Sequence, residues 1–274
     1  MGMIALATCI GMPELDVDAD ILLEEFHRQG AEAEWVAWDD PTTNWSDFRA
    51  VILRSTWDYP ERMHEFLPWL SRVKEATTVL NPVDLVTWNL DKRYLLDLEA
   101  KGIQIVPTAF FEGKVGEIPA EDIVIKPTVS CGSMNTKRFL PEQHEEAKAF
   151  AESLIGDWTL MVQPYVSSVE DGGEISVVCL AGQPSHAIMK MPRFADGHES
   201  VSLTTLTDDL REVAVKVLGA IDSEWLYARV DVMRWEDGSW VLSELELVEP
   251  SLFLSHARGA TEVLVTDTLK RLRA

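Results

Sequence analysis

The sequence predicts a mixed α/β (α+β) protein with an α/β N-terminal domain, a small middle domain and an antiparallel β domain that carries helices. Three patterns support this prediction. Strand-sized apolar runs alternate with helical repeats over residues 1–86, residues 87–160 enclose a polar, turn-prone stretch, and residues 161–274 are rich in strands. No low-complexity tract or internal repeat interrupts the chain, so these three ranges are the predicted domains.

The N-terminal domain begins with an apolar strand at residues 3–9. Acidic residues then precede a helical repeat of apolar side chains from Ile21 to Phe26, and Gly30 ends that helix. Two further strands and a helix follow at residues 32–38, 49–53 and 61–75. This β-α-β-β-α order is typical of an open sheet whose loops gather at one end.

The middle domain contains a helix at 91–101 that is closed by Gly102, a strand at 123–126 and a helix at 141–154 with proline in its first turn. The last domain has strands at 160–163, 174–180, 185–191, 225–233 and 240–247, and helices at 208–218 and 261–272. Asp237-Gly238 predicts a hairpin between the last two strands.

The formal net charge of −22 argues against nucleic acid or an anionic membrane as a partner. The apolar runs are too short to span a membrane, and the N-terminus has the pattern of a strand rather than a signal peptide. Three widely spaced cysteines fit neither a disulfide framework nor a zinc site, so the reducing cytoplasm is the expected compartment. The sequence is compatible with a homo-oligomer but does not specify one.

Three carboxylates lie on the predicted hairpin. Glu244 and Glu246 are two residues apart on one strand and share a face, and Asp231 lies on the partner strand. If the register places them together, their repulsion is costly unless divalent cations lie between them, and oxygen ligands favour Mg²⁺. The alternative is an acidic hairpin facing solvent.

Two cationic residues lie near polar segments. Lys126 ends an apolar strand and opens into a turn-prone loop, which is either a phosphate-binding loop or an ordinary surface turn. Arg229 shares the strand face of Asp231, where it either forms a salt bridge or stabilises a transferring phosphoryl group. Motifs of P-loop, Rossmann, serine hydrolase, zinc protease and protein kinase sites are absent from the sequence.

Six segments between residues 88 and 255 resemble, in the same order, the ATP-grasp ligases, especially the glutathione synthetase branch. They are NLDKRYLLDLEAKGIQIVPT (89–108), VIKPTVSCGSMNT (124–136), MVQPYVSSVEDGGEISVV (161–178), AGQPSHAIMKMP (181–192), YARVDVM (227–233) and ELELVEPSLF (244–253). The resemblance implies an ATP-grasp fold with a Rossmann-like pre-ATP-grasp domain, a lid and a C-terminal β domain. It also implies ATP and two Mg²⁺ ions as cofactors.

The resemblance also implies roles for individual residues. Lys92 and Lys126 match the lysines that hold the ATP phosphates, and residues 128–136 match the loop over them, including Ser130, Cys131, Gly132 and Ser133. Gln163, Tyr165 and Val166 would border the adenine. The metal ligands would be Asp231, Glu244 and Glu246, and the groups that meet the substrate carboxylate and the phosphoryl group would be Arg229, Lys190 and Arg193.

The segment RSTWDYPERMHEFLPWL (54–70) resembles a narrower group that includes the O-ureido-D-serine cyclo-ligase of D-cycloserine biosynthesis. Its first residues would then face the cleft and bind a small amino-acid-like zwitterion through Arg54, Trp57, Asp58 and Tyr59. The alternative is a strand end that leads into a helix. The loop 193–206 lacks the Gly-Gly pair that is usual in relatives.

Three functions follow from these observations. The first is an intramolecular ligase that closes a ring, with O-ureido-D-serine as substrate and D-cycloserine, ADP and phosphate as products. The second is an intermolecular carboxylate–amine ligase similar to glutathione synthetase. The third is a non-catalytic ATP-binding module, which is disfavoured because all the candidate metal carboxylates and both lysines are present.

Overall fold

The N-terminal part of the chain forms a parallel sheet in the computed structural model, which describes residues 2–11, 16–191 and 200–273. The strand order is β2-β1-β3-β4, with bounds β1 Met3–Thr8, β2 Ala33–Ala37, β3 Phe48–Ser55 and β4 Thr78–Leu80. Helices α1 (Ala19–Arg28) and α2 (Met63–Ala76) pack on this sheet. The open α/β sheet predicted for this region is confirmed.

Alternating side chains of β1 explain why helices cover both faces. Ile4 and Leu6 pack in one core cluster with α1, whereas Ala5 and Ala7 pack in another cluster with α2. Because successive strand residues point to opposite faces, a fully apolar strand is buried only when both faces are covered. Short 3₁₀ turns lie at Trp45–Asp47 and Tyr59–Glu61.

The middle sheet is antiparallel with the order β5-β8-β6-β7. Its strands are β5 Ala109–Phe111, β6 Ile123–Pro127, β7 Lys137–Phe139 and β8 Leu160–Pro164. Helices α3 (Val83–Asn89) and α4 (Tyr94–Ala100) precede it, and the turn Pro141–Gln143 leads into α5 (His144–Leu154), which packs on the sheet. We call the unit of this sheet and α5 the lid.

The third sheet is antiparallel with five strands in the order β11-β10-β9-β12-β13. The strands are β9 Glu174–Leu180, β10 Gln183–Met191, β11 Ser200–Thr204, β12 Tyr227–Arg234 and β13 Trp240–Glu246. Helices α6 Val169–Gly172, α7 Asp208–Gly219 and α8 Ala260–Arg271 accompany it, with a 3₁₀ turn at Leu254–His256. The predicted hairpin is confirmed, and Gly238 takes the positive φ of 83° that its turn requires.

Several elements differ from the predicted ones. The helix predicted from residue 91 begins only at Tyr94, because Asp91 accepts the Arg93 N–H (2.9 Å) and the Lys92 N–H bonds to the Thr128 carbonyl (2.9 Å). Strand β8 pairs with lid strands and runs to Pro164, past the predicted boundary at 160. The division of the chain into domains stays a prediction.

Candidate active site

A cavity of about 710 Å³ is lined by residues of the middle and third sheets and by residues that follow β3 of the N-terminal sheet. This volume lies in the range of small-molecule sites. Its wall includes most of the residues that the sequence singled out: Trp57, Tyr59, Lys92, Lys126, Ser130, Cys131, Gly132, Ser133, Gln163, Tyr165, Val166, Lys190, Arg229, Asp231, Glu244 and Glu246. The fold therefore gathers residues that are up to 189 positions apart between Trp57 and Glu246.

Two lysines line the cavity: Lys92, which lies just before α4, and Lys126, which lies on the lid strand β6. The Lys92 ammonium donates to the backbone carbonyl of Ser130 (2.7 Å) and lies 3.1 Å from a Glu244 carboxylate oxygen. Lys126 follows on β6, and no ion pair or hydrogen bond engages its ammonium among the residues that the structure describes. Burial, together with the nearby Lys92 and Lys190, lowers the pKa of Lys126.

The loop after β6 is folded tightly above these lysines. Gly132, Ser133 and Asn135 all have positive φ, between 52° and 62°. The Cys131 thiol donates to the backbone carbonyl of Trp57 (2.9 Å), so this loop contacts the N-terminal domain across the cavity. Burial raises the pKa of the Cys131 thiol, which therefore stays protonated.

The register of the hairpin, with a shift between Asp231 and Val232, brings the carboxylates of its two strands together. Asp231 pairs directly with Glu244 across β12 and β13, and Arg229 pairs with Glu246. The condition set for these acids is therefore met by the register, and their role as metal ligands stays a prediction. The cations that separate them in this arrangement are side chains: Arg229 bonds to Asp231 (2.9 Å) and to Glu246, and Lys190 bonds to Asp231 (2.7 Å).

The pKa values of the acids follow from these contacts. Burial alone would raise the pKa of Asp231, but Arg229 and Lys190 outweigh it and hold that pKa well below its usual value. Lys92 and Lys126 likewise overcome burial and lower the pKa of Glu244. For Glu246, burial and the neighbouring acids prevail and raise its pKa to about 8.

The strand β8 and the residues after it border the other end of the cavity. The Gln163 amide donates to the Thr108 hydroxyl (2.8 Å), and the Tyr165 N–H donates to the Asp122 carbonyl (2.7 Å). The Arg138 guanidinium stacks on the Tyr165 ring, 3.4 Å from its centroid. Val166 packs in a small apolar cluster with Val106, which gives this end the flat apolar wall that a purine ring needs.

The RSTWDY segment divides into two pairs. Trp57 and Tyr59 line the cavity, and the Trp57 indole N–H donates to the Glu249 carbonyl (3.2 Å). Arg54 and Asp58 do not line it. Arg54 is fully buried in an ion pair with Asp16 (3.0 Å), and Asp58 bonds to Arg62 (2.7 Å) and accepts the Trp38 indole N–H (2.8 Å).

The predicted charged pair of this segment is therefore engaged within the N-terminal domain, because Asp16 pairs with Arg54 and Arg62 pairs with Asp58. The third predicted catalytic cation, Arg193, lies outside the described residues.

Two acidic residues of the wall were not predicted. Glu174 begins β9 and bonds to Lys190 (2.7 Å), and Glu249 follows β13. Both lie within segments that resemble the ATP-grasp pattern. The sequence did contain a signal that could have identified Glu249 as a site residue, because it is a single acid between apolar residues and a turn-prone Pro-Ser pair.

The charges of the wall are almost balanced. Four cations (Lys92, Lys126, Lys190 and Arg229) face five acids (Glu174, Asp231, Glu244, Glu246 and Glu249), a sum of −1. In the described part of the chain, no three His, Cys, Asp or Glu side chains are arranged to hold a metal ion. A nucleotide triphosphate would add several negative charges, and carboxylate oxygens such as those of the hairpin are the ligands that Mg²⁺ prefers.

Comparison with known proteins identifies the family. The chain is 36% identical to the cycloserine biosynthesis protein DcsG of Streptomyces lavendulae, and the alignment covers 100% of each chain. The chain belongs to the DcsG family. Residues 4–81 also match the family described as D-cycloserine synthetase DcsG, N-terminal domain.

Similar solved structures support the family assignment and identify the fold. The crystal structure of D-cycloserine synthetase DcsG aligns with a TM-score of 0.92 and 33% identity over 99% of this chain and 100% of that one. The ATP-grasp ligase PsnB, in a structure with a precursor variant, Mg and ADP, aligns with a TM-score of 0.64 over 97% and 98% of the two chains at 16% identity. The fold of this DcsG family member is the ATP-grasp fold, and the protein is an ATP-dependent ligase.

Proposed function

We propose that the enzyme activates the carboxylate of O-ureido-D-serine as an acyl phosphate and closes it to D-cycloserine, with ADP and phosphate as further products. The observation that carries this proposal is the extent of the similarity to D-cycloserine synthetase. It spans the whole chain, including the N-terminal residues that place Trp57 and Tyr59 in the wall of the cavity.

The nucleotide would occupy the end of the cavity between the lid and β12–β13. Gln163, Tyr165 and Val166 provide an apolar wall with backbone groups for the adenine. Lys92 and Lys126 lie beside the loop 128–136 and would bind the phosphates. Lys126 is the better placed of the two for a new anion, because its charge has no partner among the described side chains.

Asp231, Glu244 and Glu246 would hold two Mg²⁺ ions. Bound Mg²⁺ would neutralise phosphate charge and fix the γ-phosphoryl group for transfer. Arg229 and Lys190, which now bond to these acids, would then be available for the substrate carboxylate and the transferring group, and Arg193 is proposed for the same task.

The residues of the chain would then bind, orient and shield the reactants. Transfer of the γ-phosphoryl group to the carboxylate oxygen gives ADP and an acyl phosphate. The oxygen-bound ureido nitrogen attacks the acyl carbon, the C–N bond of the ring forms, and phosphate leaves. That nitrogen still carries a carbamoyl group, which departs as isocyanic acid while the ring nitrogen takes up a proton. Closing the lid would exclude water from the acyl phosphate.

An enantiomer test decides between ring closure and intermolecular ligation. We expect purified protein with ATP and Mg²⁺ to convert O-ureido-D-serine, but not its L enantiomer, to the ring product, followed by mass spectrometry. A site that fixes ammonium and carboxylate separately leaves a charge unpaired with the wrong enantiomer, at a cost of roughly 1–3 kcal/mol or more. If neither enantiomer cyclises and an added amine stimulates ADP release, the enzyme is an intermolecular ligase.

A further inference from the structure

The acids of the cavity wall are not equivalent. Four of the five bond to a lysine or arginine: Glu174 to Lys190, Asp231 to Arg229 and Lys190, Glu244 to Lys92, and Glu246 to Arg229. Glu249 is the exception. Among the described residues no Lys, Arg or His lies within 4.0 Å of its carboxylate, although only 6% of the residue is exposed.

The position of Glu249 is fixed by the N-terminal domain. Its backbone carbonyl accepts the Trp57 indole N–H (3.2 Å), and the next carbonyl, of Pro250, accepts a hydrogen bond from the buried Arg54 (3.1 Å). Burial, together with the charge of Glu249, raises the pKa of the Tyr59 hydroxyl and of the Cys131 thiol. Glu249 thus lies beside the part of the cavity wall that Trp57 contributes.

A buried carboxyl without a cation is unfavourable, and this one is a group that a ligand cation would stabilise. Burial raises the pKa of Glu249 to about 7, as expected for a buried carboxyl that has no cation bonded to it. The arginine and acid that the sequence offered for a zwitterion, Arg54 and Asp58, are both occupied elsewhere. Within the described wall, Glu249 shares the cavity with Trp57, which bonds to its backbone carbonyl, and with Tyr59.

We propose that Glu249 binds the ammonium group of the amino-acid substrate, in the cavity that Trp57 and Tyr59 also line. This inference rests on the proposed function, because it requires a substrate with a primary ammonium next to the carboxylate that is activated. Glu249 is then a specificity-determining residue: it selects α-amino acids over simple carboxylic acids and sets the orientation on which discrimination between enantiomers depends.

The test compares two ligands in two variants. Calorimetry in the presence of Mg²⁺ and a non-hydrolysable ATP analogue measures the binding of O-ureido-D-serine and of 3-(ureidooxy)propanoate, which lacks only the amino group. We expect wild type to prefer the amino compound by roughly tenfold or more, the size of one charge-assisted contact. Glu249→Gln keeps the shape and removes the charge, so the two affinities should become nearly equal, while affinity for the ATP analogue stays unchanged.

Glu249→Asp, which keeps the charge on a shorter side chain, should retain part of the preference, and it replaces the Gln variant if that one does not fold. An undiminished preference in Glu249→Gln, or no preference in wild type that cyclises the substrate, overturns the assignment while the proposed function stands. If wild type neither binds nor cyclises O-ureido-D-serine, the proposed function fails, and the ammonium assignment fails with it.

Discussion

Lys126 differs from the other cations of the cavity because no acid or acceptor engages its ammonium within the described residues. We predict that Lys126→Ala weakens the binding of an ATP analogue by about 1.5–3 kcal/mol, the usual size of a hydrogen bond to a charged group. Calorimetry with the analogue and Mg²⁺ measures this change. Lys148→Ala, which removes an exposed lysine from α5, is the control. Equal affinity in the two variants would remove Lys126 from the nucleotide site.

Glu244 is both an ion-pair partner and a proposed metal ligand, and one substitution tests the two roles with two measurements. In the ligand-free enzyme it pairs with Lys92 (3.1 Å), and as a proposed Mg²⁺ ligand it acts during turnover. We predict that Glu244→Gln lowers turnover roughly 100-fold or more. It should also lower the free energy of unfolding by about 1–3 kcal/mol, because Lys92 keeps a buried charge without its acid.

Steady-state ADP release and thermal unfolding measure these two effects. Glu236→Gln, at an exposed position of the same hairpin, should change neither. Turnover near that of wild type at saturating Mg²⁺ would place the metal site elsewhere.

The raised pKa of Glu249 has a consequence for stability. Its pKa is about 7 in the folded enzyme, against an ordinary value of 4.5. A carboxyl of this kind favours folding while it is protonated, so its contribution is present below its ordinary pKa and is lost as pH rises through the folded value. Between about pH 5 and 8 we predict that ligand-free wild type loses on the order of 1–3 kcal/mol relative to Glu249→Gln.

Chemical unfolding at a series of pH values, done in parallel on both proteins, measures this difference. A constant difference across the range would show that Glu249 titrates near its ordinary pKa. Glu246, whose pKa is also raised, contributes with the same sign to both proteins and cancels in the comparison.

At the scale of residues, the sequence predicted which groups meet but not how they pair. Alternation on β13 was sufficient to place Glu244 and Glu246 on one face, but a register shift between Asp231 and Val232, which sets Glu244 rather than Ser243 opposite Asp231, could not be read from the sequence. Periodicity carries no information about partners on other elements, so the Arg54–Asp16 ion pair and the isolation of Glu249 could not be read from it. Both depend on tertiary contacts between segments that are far apart in the chain.

At the scale of elements, the free edge of β13 is covered by side chains. The Asn89 amide donates to the Leu245 carbonyl (2.8 Å) and its oxygen accepts the Leu247 N–H (2.7 Å). The Tyr94 hydroxyl accepts the Leu245 N–H (2.8 Å). The last residue of α3 and the first residue of α4 thus take the place of a neighbouring strand and hold this part of β13 in position.

This arrangement predicts a large effect for a small substitution. Asn89→Ala leaves two buried backbone groups without partners, and we expect a loss of about 2–4 kcal/mol of unfolding free energy. Chemical denaturation measures the loss, with the exposed Gln183→Ala as control. A loss no larger than that of the control would mean that water or a shifted strand satisfies those groups.

The sequence predicted the long elements and missed the short ones. Strands β4, β5 and β7 have three residues each and α3 has seven, which is too short for an apolar repeat to be recognised. Their places are determined by pairing with β3, β8 and β6, which are distant in sequence or depend on tertiary packing. The strands that carry Lys126, Gln163, Lys190, Arg229 and the hairpin acids are longer and were predicted.

At the scale of the molecule, the N-terminal sheet and the third sheet share a hydrophobic core. Ile4 and Leu6 of β1 pack in one cluster with Leu180, Tyr227 and residues of α8. The described helices include none that is long and apolar enough to cross a membrane. The packing shows no gap at the predicted boundary near residue 86, since the Asn81 side chain bonds to backbone groups of both β12 and the segment after β13.

The lid, in contrast, has a hydrophobic core of its own. Ile125, Phe139, Ala147, Leu160 and Val162 form a separate cluster from the shared core. A unit with a small, separate core opens at lower free energy than the rest of the molecule. The proposed mechanism requires such opening, because the nucleotide must enter and leave beneath the loop 128–136.

We therefore predict that amide hydrogen exchange in the ligand-free enzyme is faster in β5–β8 and α5 than in β1, β9 and β12. An ATP analogue with Mg²⁺ should slow exchange in the lid by roughly tenfold or more, because a ligand that bridges Lys126 and the hairpin acids stabilises the closed form by mass action. Exchange in β1 should change much less. Mass spectrometry of peptides from each sheet makes the comparison within one sample. If the lid is already as protected as β9 without ligand, closure does not accompany binding, and nucleotide must enter by another route.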